Sequence, residues 1–129
     1  MTTLSLGKVR GLTSTSNHEG IFTVLALDHR QSFVRMLTQL AEGRAVHRVA
    51  AMLKTEIVRA IGHKTSAVLL DPIYGVGPAI ASRALPGSSG LLVALEESGY
   101  RGSATARESS LLENWSVGKI KRLGADAVK

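Results

Sequence analysis

The stretch GIFTVLALDHR, residues 20–30, limits the possible folds of this chain more than any other segment. It runs through Val24, Leu25, Ala26 and Leu27 without the polar alternation of a half-exposed strand, then stops at Asp28, His29 and Arg30. A short apolar run bounded by glycine and by charge reads as a strand buried on both faces. A parallel sheet holds the last residue of such a strand rigidly while the following loop opens to solvent. Charge at the C-terminal tip therefore lies where α/β proteins build their sites.

The same design recurs along the chain. Residues 66–72, SAVLLDP, form a second apolar run ending in Asp71, and Pro72 after it cannot continue a central ladder. Residues 90–97, GLLVALEE, end in Glu96 and Glu97, and residues 125–129, ADAVK, supply a fourth strand tipped by Lys129. Helical patterns lie between these runs. Phe33, Val34, Met36, Leu37 and Leu40 predict a helix over 32–42, with Gly43 after its last turn. Val46, Val49, Ala50, Leu53, Ile57, Ala60 and Ile61 predict a second, from residue 45 to the stop at Gly62, with Arg48, Lys54, Glu56 and Arg59 facing outward. Pro78 opens a short helix over 78–85. Trp115, Val117, Ile120 and Leu123 predict another within 111–124, with Ser116 placed to cap it and Gly124 to end it. A leading helix carrying Leu4, Leu6, Val9 and Leu12 is expected beneath the first strand, and residues 98–110 read as one long loop.

Strands alternating with helices imply a parallel α/β sheet with right-handed crossovers. Two architectures fit, an open doubly wound sheet and half of an eight-stranded barrel. Neither GxGxxG nor GxxxxGK[ST] occurs, which counts against a dinucleotide or P-loop site. Four charged strand tips favour the barrel, whose sites draw residues from several strand ends.

Composition narrows the function further. The chain has no cysteine, so disulfides, thiolate metal ligation and a cysteine nucleophile are excluded, and a reducing cytoplasm is expected. The apolar runs fall well short of the roughly 20 residues a membrane helix needs, and MTTLSLGKVR has no apolar signal region. A net charge of +6 would suit nucleic acid, yet the cations are scattered and aromatic residues make up only 4%, too few for a base-stacking platform. A phosphorylated substrate would also welcome that charge.

Asp28, Asp71, Glu96 and Lys129 are thus the strand tips, with His29, Arg30, Tyr74 and Glu97 beside them. A single strand-end carboxylate often does no more than cap the next helix or pair with an arginine. Four in one topology point to a shared site. Carboxylates with a histidine could hold Mg²⁺ or Mn²⁺, but no DxD or HxH spacing supports this. Carboxylates with a lysine suit Schiff-base chemistry, in which an amine condenses with a carbonyl while carboxylates move protons. Of the six lysines, Lys129 alone stands at an expected strand end; Lys54, Lys64, Lys119 and Lys121 read as solvated helix or flank residues.

The segments LALDHRQSFVRML, SAVLLDPIYG, LLVALEESGY and NWSVGKIKRLGADAVK, in this order and spacing, resemble the N-terminal part of the tagatose 1,6-bisphosphate aldolase family. These are class I aldolases that also include sulfofructosephosphate aldolases. The resemblance implies the N-terminal half of a (β/α)8 TIM barrel, with residues 1–129 as a single partial domain. It implies cleavage of a phosphorylated or sulfonated ketose to dihydroxyacetone phosphate and an aldehyde, with no metal and no other cofactor. By the same resemblance Asp28 would contact substrate near its carbonyl or hydroxyls, and Lys129 would be an auxiliary lysine near the Schiff-base lysine. Arg30, Asp71, Glu96 and Arg107 are further substrate-binding candidates. His29 stands where relatives often carry Gln, so no histidine-specific proton transfer is implied.

The Schiff-base lysine, the proton-transfer glutamate and the phosphate loops are expected on later strands of a chain of which these residues would be half. The segment would then carry substrate contacts without being competent alone. The alternative is a non-catalytic half barrel or interaction unit. Either way the first and fourth strands would be open edges with exposed apolar faces, which implies self-association or pairing with the missing half.

Overall fold

The computed structural model describes residues 3–39, 45–99 and 101–129. In chain order the elements are α1 (Leu6–Thr15), β1 (Val24–Leu27), α2 (Gln31–Thr38) and α3 (Val46–Ile61), then a single 3-10 turn (Gly62–Lys64) and β2 (Ala67–Leu70). They continue with α4 (Val76–Ala81), β3 (Gly90–Val93), a hairpin of β4 (Arg101–Ser103) and β5 (Ala106–Glu108), α5 (Val117–Arg122) and β6 (Ala127–Val128). Strands β1, β2, β3 and β6 pair in that order, all parallel. A four-stranded parallel sheet wound with helices in this order is the arrangement of half a (β/α)8 barrel.

Register determines what the strand ends bring together. Leu27, Leu70, Val93 and Val128 form one row across the sheet, so the next residues along the strands are Asp28, Asp71, Ala94 and Lys129. Backbone bonds carry the ladder past the last row: Ala94 N–H donates to the Leu70 carbonyl at 3.0 Å, and Lys129 N–H to the Val93 carbonyl at 3.0 Å. Glu96, expected as the third tip, lies two residues further on, because the apolar run continues through the buried Ala94 and Leu95.

The core lies between the sheet and its helices. Val68 and Leu70 of β2 and Leu91 and Val93 of β3 pack with Val58 of α3, Val76 and Ala79 of α4, and Ile120 of α5. β2 and β3 are buried as expected, but β1 is not. As an edge strand it keeps Leu25 and Leu27 half-buried against the core, while Val24 and Ala26 are exposed on the other face. The uninterrupted apolar run concealed this period-2 difference between its faces.

Other expectations change in detail. α1 packs on β3 and β6 rather than beneath β1, and Leu4, Leu6, Val9 and Leu12 are exposed. Gly90 permits that contact: a Cβ there would come within 2.3 Å of the Ser14 carbonyl oxygen. The expected end at residue 42 of the helix over 32–42, with Gly43 after it, lies outside the described residues. α4 starts two residues before Pro78, which then sits in the first turn, where its missing N–H has no intrahelical partner to lose. The expected loop 98–110 contains the β4–β5 hairpin. In α5, Ser116 Oγ accepts from Lys119 N–H at 3.2 Å, and Gly124 takes φ +100°, so both end signals act as read.

The largest departure is in α3. Its buried line is Ala50, Lys54 and Val58, spaced four residues apart, with Thr55 beside it, whereas Ala60 and Ile61 are exposed. Lys54, read as outward and solvated, is 1% exposed.

Candidate active site

The C-terminal ends of β1, β3 and β6 border a cleft of about 510 Å³ lined by Ala26, Asp28, His29, Arg30, Glu96 and Lys129, with Ser32, Ala94 and residues 97–99. Asp28 follows β1 and lies on the exposed side of that strand, in line with Val24 and Ala26. Lys129 follows β6. Its Nζ donates to Asp28 Oδ2 at 2.6 Å, joining residues 101 positions apart at opposite edges of the sheet. Strands lie about 4.8 Å apart, so β1 and β6 would stand ~14 Å apart on a flat sheet. Their tips meet because the sheet curls about the cleft, as barrel strands do.

Burial is the largest single influence on the Asp28 carboxyl and pushes its pKa up. The Lys129 hydrogen bond and charge, backbone bonding at Asp28 and the nearby His29 outweigh it, and hold the pKa below its ordinary value. Asp28 is thus held as a carboxylate, able to accept a hydroxyl hydrogen bond.

Arg30 ties the loop after β1 to the segment after β3. It is 7% exposed and its Nη2 donates to the Glu96 carbonyl. Among the described residues its Nε and Nη1 have no hydrogen-bond partner. The Glu96 carboxylate accepts from Ser109 Oγ and that of Glu97 from Ser110 Oγ at 2.5 Å, and Glu96 bridges Leu111. The hairpin stem is thereby strapped to the cleft rim. Arg107 lies exposed on β5 and is not among the cleft-lining residues. His29 is exposed at the rim.

Asp71 is not brought into the cleft. It is fully buried, and its Oδ1 accepts from Ile73 N–H at 2.9 Å and Tyr74 N–H at 2.7 Å, while Oδ2 is ion-paired with Lys54. Lys54 Nζ also donates to the Leu27 carbonyl at 2.8 Å and the His29 carbonyl at 2.5 Å. The sequence did contain a signal for Lys54. It stands four residues from both Ala50 and Val58, on one helical line, but the charged Arg48, Glu56 and Arg59 around it suggested a solvated face. Tyr74 stacks on His47, ring centroids 5.4 Å apart.

A second cleft, of about 650 Å³, lies between α1, α5 and the start of β6, at the opposite end of that strand. Its carboxylate, Asp126, is engaged by Leu91 N–H at 3.0 Å and by Arg10 at 3.6 Å. Among the described residues no three of His, Cys, Asp and Glu converge as a metal site, and no helix is long and apolar enough to cross a membrane.

No protein-family model matches the chain. Individual proteins do. It is 35% identical over 113 residues, 88% of its length, to tagatose 1,6-diphosphate aldolase 1 of Streptococcus pyogenes serotype M1, covering 34% of that protein. It is 35% identical over 122 residues, 95% of its length, to tagatose 1,6-diphosphate aldolase 2 of Streptococcus agalactiae, covering 36%. With tagatose 1,6-diphosphate aldolase 2 of Enterococcus faecalis the figure is 37% over 132 aligned residues, all of this chain and 38% of the relative. The chain therefore spans about a third of these relatives' length rather than the half that four of eight strands suggested, so the relatives carry more residues outside the matched part. At this similarity, over nearly its whole length, the chain is homologous to one third of the tagatose 1,6-diphosphate aldolase polypeptide.

Proposed function

We propose that residues 1–129 are one partial barrel domain that supplies part of the ketose-binding mouth of a class I, Schiff-base-forming aldolase. Its substrate is a ketose bisphosphate such as tagatose 1,6-bisphosphate, with sulfofructose phosphate as the alternative, and its products are dihydroxyacetone phosphate and an aldehyde. The observation that carries this reading is the meeting of Asp28 and Lys129 at 2.6 Å in a cleft at the strand ends.

In such a reaction an amine adds to the ketose carbonyl and water leaves. The resulting iminium accepts the electrons of the breaking carbon–carbon bond as a hydroxyl proton is removed. Asp28 offers a carboxylate to a substrate hydroxyl. Lys129 offers an ammonium to the carbonyl region, and a cation there lowers the pKa of a neighbouring amine, favouring its neutral, nucleophilic form. Arg30 and Glu96 shape the wall between them. The cleft volume suits a sugar phosphate. Lys129 is auxiliary in this scheme, since its Nζ is engaged by Asp28. In this reading the condensing amine, the proton-transfer glutamate and the phosphate loops come from residues beyond those of this segment.

Borohydride reduction with dihydroxyacetone phosphate tests this reading. The expected result is no reduced adduct on the chain alone, and an adduct on a lysine of the complementary segment once the two are combined, with EDTA-insensitive cleavage. An adduct on Lys129 itself would overturn the auxiliary role, and cleavage abolished by EDTA would overturn the Schiff-base scheme.

A second reading, a non-catalytic interaction unit, draws support from the exposed Ile21, Phe22 and Val24 leading into and along the edge strand β1. Absence of activity with any complementary segment would favour it.

A further inference from the structure

Lys54 is not among the residues that line the cleft. An ammonium has three donors, and here each has its own acceptor: the carboxylate of Asp71 and the carbonyls of Leu27 and His29. Those two carbonyls belong to the residues on either side of Asp28. We propose that Lys54, anchored by Asp71, is a positioning residue for Asp28, curling the backbone from Leu27 to His29 around its ammonium so that the Asp28 carboxylate meets Lys129.

Each link in this chain of contacts is fixed. Asp71 is held to the end of β2 by Ile73 and Tyr74 N–H, so the ammonium it binds is referenced to the centre of the sheet rather than to solvent. Lys54 is 1% exposed and also lies 5.4 Å from the Phe33 ring centroid, so its amine has no aqueous alternative. On the other side, Lys129 is held to β3 by its N–H on the Val93 carbonyl at 3.0 Å and by Leu95 N–H on its own carbonyl at 2.7 Å. The loop after an edge strand has no second neighbour to fix it, and the Lys54 bonds supply that constraint for β1. A buried ammonium needs acceptors for all three donors whatever its role, but not two that flank a single residue. Its bonds to both neighbours of one residue are what single out Asp28.

The consequence for substrate rests on the proposal that Asp28 contacts the ketose, but the test does not. In the isotope-labelled chain, the Asp28 carboxyl is titrated by NMR with and without Lys129→Met. The other titratable or charged groups bordering the cleft are His29 and Arg30 on the same loop, Glu96 and Glu97 after β3, and Lys129 after β6. The expected result is that Lys129→Met raises the Asp28 midpoint in the native background. In the charge-neutral Lys54→Met/Asp71→Asn background the midpoint is already raised, and Lys129→Met no longer moves it. A folded double variant that keeps the native midpoint and the full Lys129 effect overturns the proposal. If the double variant does not fold, hydrogen-bond scalar couplings in the native chain decide, read from Lys54 Nζ to the Leu27 and His29 carbonyl carbons. Their presence supports the assignment and their absence overturns it. Failure of the borohydride test would remove the aldolase reading and leave this titration result standing.

Discussion

Replacing Lys54 by methionine keeps the length and most of the volume of the side chain but removes its ammonium. Asp71, fully buried, then holds a charge whose partner is gone, and breaking a buried pair from one side costs about 3–5 kcal/mol. Ile73 and Tyr74 N–H still donate to Asp71 Oδ1 and keep the expected cost toward the lower half of that range. The Leu27 and His29 carbonyls also lose a donor, which adds about 1–3 kcal/mol for each that stays dry. Lys54→Met should therefore lose roughly 4 kcal/mol or more, a large share of the ~5–15 kcal/mol available to a small domain. In the Asp71→Asn background the stranded charge is the Lys54 ammonium itself, so Lys54→Met removes it and the cost should fall below the carbonyl share. Urea unfolding of the four proteins in this double-mutant cycle measures both quantities. A loss below about 1 kcal/mol for Lys54→Met would refute the reasoning, because that is the range of a solvated surface charge.

Two further outcomes follow from the cleft and the sheet edge. Since the Asp28 pKa is lowered on folding, the stability it contributes is present above its unfolded-state pKa and is lost as pH falls through the lower folded-state pKa. Lys129→Met should therefore destabilise the chain at neutral pH and match the native chain in strong acid; an unfolding difference independent of pH would contradict the assignment. Val24, exposed on the open edge strand β1, gives the second test. Val24→Lys should reduce concentration-dependent self-association in sedimentation velocity, by placing charge on an edge that otherwise invites pairing.

The order of strands and helices and the charged strand tips could be read locally, because apolar runs and helix-end signals are properties of neighbouring residues. Ser116 and Gly124 bound α5 where the sequence placed them. The half-barrel architecture followed from alternation and from the missing phosphate loops. Glu96 reads as a tip in sequence because an apolar run continuing past the ladder looks the same as one that stops with it. The hairpin within residues 98–110 leaves no sequence signal because its strands, three residues each, carry no apolar face.

By itself, the sequence determined that Asp28, Asp71 and Lys129 stand at the ends of strands, since each closes its apolar run where the ladder stops. Tertiary structure decided which of those residues meet. Asp28 and Asp71 look alike in sequence, each an acid closing an apolar run. The curl of the sheet carries Asp28 across to Lys129, while the close approach of α3 gives Asp71 to Lys54 and seals it away. A charge next to an apolar run is a local fact, but its partner is chosen by contacts 17 residues away in one case and 101 in the other, and only packing brings those together.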